Sequence, residues 1–321
     1  MHSLLKTVAL AAASSLAMAS AALAEVRTER VTFLSGGETV VGTLYIPDGV
    51  DRRNPAPGVV VTGAWMTVKE QMAGRYAREL AERGVVALAF DFRTWGESAG
   101  RQRSLESPAM KINDIKAAAR FLDARAETNG YRIGALGICA SAGYAVHAAA
   151  GSGAIRSVAL VAPWLHDAAI VNEVYGGASN IAGLVKTAQD AQVRYEATGE
   201  LTLVPAAGPA GSNAVMAFDG YYTDPARGAV PQWENTFNLA SWDDWLTFDA
   251  LSVAKDFRKP VLTVHSDAAA IPQGVRRFLA ETKGPQQAIW LDGVTQFDFY
   301  DADAPVKAAA DAVATHFRAT L

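Results

Sequence analysis

The chain has 321 residues, of which 50% are hydrophobic, and a formal net charge of −4 at pH 7. A chain of this size and apolar content can form a large globular core with an inserted segment. The sequence contains no basic cluster, which argues against nucleic-acid binding. It also lacks CxxC, HExxH and any dense group of His, Asp and Glu, so we expect neither a metal nor another cofactor.

Residues 1–24 have the pattern of a cleaved secretory signal peptide. Lys6 lies near the start, an apolar stretch covers residues 7–22, and the small residues Ala22 and Ala24 stand at the expected cleavage site before Glu25. An uncleaved membrane anchor is the alternative, which the short, alanine-rich stretch disfavours. We therefore expect the mature chain to be exported, most simply to a bacterial periplasm, and to contain no membrane span.

After the leader, the hydrophobic pattern predicts a β-hairpin followed by alternating strands and helices. The two hairpin strands are predicted at residues 27–33 and 39–46, joined by a turn at residues 35–37. Further strands are predicted at residues 58–62, 85–90, 131–138 and 158–161, with helices at residues 68–83 and 108–125. This order is typical of an α/β fold whose mostly parallel, doubly wound sheet follows antiparallel N-terminal strands.

Residues 132–150 predict a strand, a tight turn and a helix, with Cys139 in the turn. A nucleophile elbow has this arrangement, and it needs small residues such as Gly137 around the nucleophile. Ser141 stands where the usual pattern has a second glycine. At a helix N-terminus the thiol is expected to have a lowered pKa. Cys139 is the sole cysteine, so an intramolecular disulfide is excluded; the alternative is a buried, inert thiol.

The region from residue 163 to 251 interrupts the alternation and is rich in Gly, Ala, Trp and Tyr. We interpret it as a lid inserted between core segments 25–162 and 252–321, with a separate binding module as the alternative. The second core segment predicts strands at residues 260–265 and 287–291 and helices at residues 273–281 and 305–320. A lid at the carboxyl edge of the sheet would shape a substrate pocket.

The elbow GICASAG at residues 137–143, the loop DFRTWGES at residues 91–98 and the strand order resemble the α/β-hydrolase superfamily. The branch resembles the dienelactone-hydrolase-like proteins and the related polyketide acyl transferases, in which a stretch like VKEQ at residues 68–71 is also expected. The resemblance implies an α/β-hydrolase fold and acyl transfer, in which Cys139 attacks an ester, thioester or lactone carbonyl. It also implies an oxyanion hole formed by the N–H of Ala140 and that of Trp65 or Met66.

The same resemblance places the base, a histidine, in the loop after the last strand, where this chain has Gln296. Glutamine cannot accept the proton of a nucleophile. We expect His265, with Asp267 as its partner or as the acid, to serve instead, and His166 is the reserve candidate. His166, Trp164 and Gln296 are also the expected substrate-binding residues.

Two further interpretations remain open from the sequence. Thr67 and Glu70 have the spacing of a helix capping box, which we favour over a catalytic role for Glu70. For the whole protein, the first hypothesis is a hydrolase or acyl transferase acting on a small apolar ester, thioester or lactone. The alternatives are a catalytically silent fold that binds a small apolar ligand, and a lyase or isomerase that uses the oxyanion hole without a covalent step.

Overall fold

The computed structural model describes residues 25–321, except for the side chains of residues 129–131. The predicted signal peptide, residues 1–24, lies outside the described residues. The first core segment contains β1 (Val26–Ser35), β2 (Glu38–Pro47), β3 (Ala56–Thr62), α1 (Met72–Glu82), β4 (Val86–Phe90), α2 (Pro108–Asp123), β5 (Thr128–Ile138), α3 (Ser141–Ala150) and β6 (Ile155–Val161).

The segment that follows contains α4 (Ala168–Val174), α5 (Ala178–Thr198), β7 (Leu203–Pro205), β8 (Ala207–Gly208), β9 (Met216–Ala217), β10 (Thr236–Asn238) and α6 (Ser241–Thr247). After a single 3₁₀ turn at Ala254–Asp256, the chain returns to the core with β11 (Val261–His265), α7 (Pro272–Glu281), β12 (Gln286–Trp290), α8 (Asp298–Asp301) and α9 (Asp303–Thr320). Within residues 25–321, no helix is both long and apolar enough to cross a membrane.

The central sheet has eight strands in the order β1-β2-β4-β3-β5-β6-β11-β12. β2 pairs antiparallel with both β1 and β4, whereas the pairs from β4 to β12 are parallel. Every residue of β3 and of β4 is buried, as expected for parallel strands that are covered on both faces. The predicted mostly parallel α/β sheet with an antiparallel N-terminal hairpin is confirmed.

The start of α1 differs from the prediction. The helix begins at Met72 rather than near residue 68, and its N-cap residue, Gln71, makes no side-chain capping hydrogen bond. The hydroxyl of Thr67 donates to the carbonyl of Ala64 at 2.7 Å, and Glu70 forms an ion pair with Lys69 at 2.7 Å. The capping box is therefore wrong, because both side chains have partners outside the helix.

The segment from residue 163 to 251 is fastened to the core near the carboxyl edge of the sheet. Trp233 donates its indole N–H to the carbonyl of Met66 at 2.7 Å, and Gln71 donates its amide to the carbonyl of Gly228 at 2.6 Å. Aromatic side chains of this segment belong to the same hydrophobic cluster as the sheet. The segment and the core thus share one hydrophobic cluster and direct hydrogen bonds, and the lid remains our interpretation.

Candidate active site

Cys139 lies at the junction of β5 and α3 with a positive φ of 57°. Such a φ is strained for a residue with a side chain, and it is held here because Cys139 N–H donates to the Val161 carbonyl at 3.1 Å. A Cβ on Gly137 would come within 2.5 Å of the Ser141 carbonyl oxygen. The close approach explains why glycine is needed two residues before Cys139, and the geometry is that of the predicted elbow.

The thiol of Cys139 is buried, with 8% of the residue exposed. Burial raises its pKa above the ordinary value, and hydrogen bonds from the Tyr300 hydroxyl, the N–H groups of Ala140 and Trp65, and the Gln296 amide lower it by less. The expectation of a lowered pKa is therefore wrong. The helix N-terminus favours the thiolate as predicted, but the loss of water around the sulfur costs more.

Backbone N–H groups near Cys139 distinguish Trp65 from Met66 as the second predicted oxyanion donor. Trp65 and Ala140 line the same cavity as Cys139, and their N–H groups act to lower the pKa of its thiol. The N–H of Met66 points elsewhere, because it donates to the carboxylate of Glu106 at 3.2 Å. The structure thus brings Ala140 and Trp65 together at Cys139, whereas the N–H of Met66 already has Glu106 as its partner.

Gln296 occupies the position expected for the histidine, between β12 and α8. Its Oε1 accepts the N–H of Ala270 at 3.0 Å, and its Nε2 donates to the Ala162 carbonyl at 2.9 Å and to the Tyr300 hydroxyl oxygen at 3.0 Å. The amide is thus committed on both its oxygen and its nitrogen. It positions neighbouring groups, but it offers no proton acceptor to the thiol.

His265 and Asp267 do not assemble into a replacement base. His265 is buried at the end of β11 against the Trp290 ring, with 5.2 Å between ring centroids, and it does not line the cavity above Cys139. Burial lowers its pKa to about 4. Asp267 is exposed and pairs with Arg276 at 2.5 Å. The strand ends where predicted, but His265 packs against Trp290 and neither residue lines the cavity, so the structure does not bring this pair to Cys139.

His166 supports the cavity wall without lining it. Its Nδ1 accepts the indole N–H of Trp164 at 2.8 Å, and burial lowers its pKa to about 4. Trp164 itself lines the cavity, as does Gln296, so two of the three expected substrate-binding residues lie there. Neither of the other two histidines of residues 25–321 lines the cavity: His147 contacts the Asp249 carbonyl and His316 contacts the Ser157 hydroxyl.

A cavity of about 350 Å³ opens above the thiol. Its walls are aromatic and aliphatic and come from the lid, the oxyanion loop and the region around α8. The lining residues are Trp65, Cys139, Ala140, Trp164, Val174, Tyr175, Val215, Met216, Phe218, Tyr222, Trp242, Trp245, Ala270, Gln296, Phe297 and Tyr300. None of these carries a formal charge at neutral pH, which suits an uncharged apolar ligand.

Two polar groups at the site were not found from the sequence. Tyr300 lies four residues after Gln296, and that spacing, which places side chains on one face of a helical turn, was the available signal. Glu106 follows β4 in the chain and lies behind the oxyanion loop, where it accepts from Lys111 at 2.7 Å and from the Tyr144 hydroxyl at 2.8 Å. No local motif indicates this contact, which the fold alone creates.

Among the described residues, no cluster of three or more His, Cys, Asp or Glu side chains could hold a metal ion. The chemistry available at the site is instead that of a thiol beside two backbone donors at the carboxyl edge of a mostly parallel sheet. Sheet order and elbow together define an α/β-hydrolase fold. Residues 40–167 match the model of the dienelactone hydrolase family, and the chain belongs to that family.

The relatives extend over most of the chain. Protein PA2218 of Pseudomonas aeruginosa is 31% identical over 294 residues, covering 87% of this chain and 77% of that protein. Its crystal structure superposes with a TM-score of 0.82, covering 92% of this chain and 94% of that one. YcjY of Escherichia coli is 28% identical over 304 residues, covering 91% of this chain and 99% of that protein.

A third relative has a named activity. The polyketide transferase claH of Penicillium crustosum is 31% identical over 136 residues, covering 42% of this chain and 44% of that protein. The fold is also shared with solved esterases. The protein is therefore a dienelactone hydrolase-like α/β-hydrolase, of a family of hydrolase-like enzymes that act on small molecules.

Proposed function

We propose that the protein transfers an acyl group from a small, uncharged, apolar ester, thioester or lactone to Cys139. One observation carries the proposal: the sulfur sits in a strained elbow, against the N–H groups of Ala140 and Trp65, at the floor of an apolar cavity. A structural cysteine needs neither the strained φ nor two converging donors. Strain of this kind is typically kept where it aims a reactive side chain.

In the proposed reaction the sulfur attacks the carbonyl carbon and forms a carbon–sulfur bond. The carbonyl electrons move to oxygen, where the N–H groups of Ala140 and Trp65 stabilise the charge. When the intermediate collapses, the bond to the leaving group breaks, and the leaving group ends with the proton that the thiol lost. The acyl group remains on Cys139 as a thioester, which water or an acceptor nucleophile then cleaves.

The polar groups favour donors with good leaving groups. Because Gln296 replaces the histidine, the site has no strong acid to protonate a poor leaving group. A thiolate or an enolate needs little protonation, so thioesters and enol lactones fit better than amides or alkyl esters. The likeness to a polyketide transferase supports a group-transfer reaction.

The test is intact-mass measurement after brief exposure of residues 25–321 to a panel of acyl thioesters and enol lactones with aliphatic and aromatic acyl groups. The proposal expects an increase by the acyl mass on wild type, mapped to Cys139, and none on Cys139→Ala. Because the chain has one cysteine, prior alkylation of wild type should block the adduct and serves as the matched control. Full turnover by Cys139→Ala on every accepted substrate would sink the proposal.

A silent binding protein is the second candidate, and Gln296 together with the raised pKa of the Cys139 thiol is the observation in its favour. Such a protein would hold an apolar molecule in the same cavity without bond cleavage. It predicts no adduct at pH 7 or pH 9. It also predicts equal quenching of cavity tryptophan fluorescence by an apolar ligand in wild type and in Cys139→Ala.

We also propose that the protein is exported after removal of residues 1–24. The support is the sequence of that leader alone. The test is the N-terminal sequence of the protein recovered from the periplasmic fraction of a bacterial host. Glu25 as the first residue is the expected result, and a retained leader on cytoplasmic protein would contradict it.

A further inference from the structure

We propose that the outer edge of β12 is an interface at which two copies of this chain pair their β12 strands antiparallel, so that the two central sheets join into one. β12 (Gln286–Trp290) is the last strand in the order of the eight-stranded sheet, and it pairs with β11 on one side only. None of its residues lines the cavity above Cys139. The inference therefore goes beyond the proposed reaction and does not depend on it.

The first support is the row of outward backbone groups on β12. The carbonyl of Pro285 accepts the N–H of Val261 at 2.9 Å, and the N–H of Leu291 donates to the His265 carbonyl at 2.8 Å. Since alternate residues of a strand face the same neighbour, the odd-numbered residues here face β11. The residues that turn their N–H and C=O groups outward are Gln286, Ala288 and Trp290. Within residues 25–321, no backbone–backbone hydrogen bond reaches these three residues from that side.

The second support is that β12 lacks the features that usually protect an exposed edge from pairing. Such edges are commonly guarded by charged side chains, by proline or by a β-bulge. β12 has the sequence QQAIW, its first three residues are exposed, and its register with β11 is regular. The opposite edge of the sheet differs, because β1 contains Arg27, Glu29 and Arg30. The sheet is thus protected from pairing at β1 and open to pairing at β12.

The outward residues also define the register of the pair. When two β12 strands run antiparallel about a twofold axis at Ala288, Ala288 lies opposite its own copy and Gln286 lies opposite Trp290 of the second copy. Each opposed pair exchanges two backbone hydrogen bonds, so this register uses every outward N–H and C=O of the strand. A shift by two residues would leave outward groups unpaired. Because the same edge supplies both halves, the interface closes as a dimer.

The third support is the distribution of charge around the edge. A groove of about 240 Å³ lies beside the strand, against the last residues of α9, and no Lys, Arg, Asp or Glu lines it. Lys283 precedes the strand, Asp292 follows it, and both are exposed. In the antiparallel register each Lys283 comes beside Asp292 of the second copy. Opposite charges then flank an uncharged centre, which is the usual arrangement of a protein–protein interface.

The first experiment measures the oligomeric state of residues 25–321 by sedimentation velocity over a wide range of protein concentration. The test variant is Ala288→Lys. Ala288 is exposed, so a lysine there is compatible with the folded chain, but across the twofold axis it places two like charges directly opposite each other. The matched control is Ala182→Lys, at an exposed alanine of α5 in the lid. Circular dichroism verifies that each variant is folded.

We expect wild type and Ala182→Lys to form a dimer whose fraction rises with concentration, and Ala288→Lys to stay a monomer throughout. A monomer at every concentration of wild type would overturn the proposal, even if the edge accepts a strand from another protein. A dimer that is unchanged by Ala288→Lys would also overturn it, because such a dimer uses a different surface.

Disulfide cross-linking tests the register and does not depend on the lysine variant. In a Cys139→Ala background, which removes the sole cysteine, Ala288→Cys places one thiol of each copy at the twofold axis. Opposed residues of a hydrogen-bonded antiparallel pair have Cα atoms about 5.5 Å apart, a distance that a disulfide can span. Gln287→Cys is the control, because residue 287 lies opposite residue 289 and not opposite its own copy.

Under mild oxidation, Ala288→Cys should become a covalent dimer well before Gln287→Cys does. Equal or faster cross-linking of Gln287→Cys would overturn the proposed register. Neither experiment uses an acyl donor or reads an activity. A failed acyl transfer to Cys139 would therefore leave this result unchanged, and a failed dimer would leave the proposed function unchanged.

Discussion

The carboxylate of Glu106 accepts the N–H of Met66 at 3.2 Å, across 40 positions of sequence. Met66 follows Trp65, which lines the cavity with Cys139 and which the proposed function makes an oxyanion donor. The same carboxylate is paired with Lys111 at 2.7 Å, and both side chains are buried. Glu106 therefore links a buried ion pair to the geometry of the donor loop.

Replacing Glu106 by Gln should destabilise the protein by about 3 kcal/mol or more, because it leaves Lys111 buried without an ionic partner. The measurement is urea unfolding of the two proteins side by side. The double variant Glu106→Gln, Lys111→Met should regain part of the lost free energy of unfolding, since the unpaired charge is gone. A single variant within about 0.5 kcal/mol of wild type would show that the pair contributes little.

The alkylation rate of Cys139 should keep rising up to an unusually high pH. Burial raises the pKa of the thiol, so the protonated form dominates at neutral pH and the thiolate appears only as the pH climbs above the ordinary cysteine range of about 8.5. Stopped-flow alkylation from pH 6 to pH 10, with glutathione as the reference thiol, measures this. A rate that reaches its plateau below pH 8 would contradict the expected environment.

Introducing a histidine at position 296 should not by itself create an efficient hydrolase. Position 296 faces the N–H of Ala270, so the Nδ1 of a histidine there would accept that hydrogen bond and leave the proton on Nε2. This tautomer cannot accept a proton through Nε2. We expect the thioester hydrolysis rate of Gln296→His to stay within about 10-fold of wild type, whereas a positioned base contributes about 100-fold or more. Gln296→Ala is the control for loss of the amide bonds, and a gain above 100-fold in Gln296→His would refute the argument.

Gly96→Ala should be more destabilising than Gly37→Ala, although both glycines have positive φ. A Cβ at position 37 has open space, so that variant tests backbone strain alone, at about 1–2 kcal/mol. A Cβ at position 96 would overlap the carboxylate of Asp91, which is buried and paired with Lys69 at 2.8 Å. We expect about 1–3 kcal/mol of additional loss from that overlap, measured as the difference between the two urea midpoints at equal slope. Equal midpoints would contradict it.

The fold could be predicted because its signals are local. The strands and helices of the sheet have regular apolar periods, and their positions agree with the prediction to within a few residues. The start of α1 was missed because Thr67 and Glu70 have a capping pattern but bond to groups outside the helix. A short motif indicates which hydrogen bonds are possible, but tertiary contacts determine which of them form.

The site residues that belong to a local motif could be named from the sequence. Those whose role depends on the direction of a side chain could not. Cys139 and Ala140 follow from the elbow, and the first strand of the parallel series places Trp65 nearby. His265 was expected at the correct strand end, but sequence does not show that its ring packs on Trp290. Tyr300 lies far from Cys139 in the chain, and only the folded structure places both residues in one cavity.

The indole N–H of Trp233, in the lid, donates to the carbonyl of Met66, in the loop that the proposed function assigns to the oxyanion. Under the proposed function, substrate selection by the lid and oxyanion stabilisation by the loop are coupled through this hydrogen bond. Exchanging the lid between relatives should alter the turnover rate as well as the substrate preference, unless the loop that contains Met66 is exchanged with it. New substrate specificities in this family are then expected to arise through paired substitutions in the lid and in this loop. A phylogenetic tree built from lid sequences should therefore match one built from loop sequences.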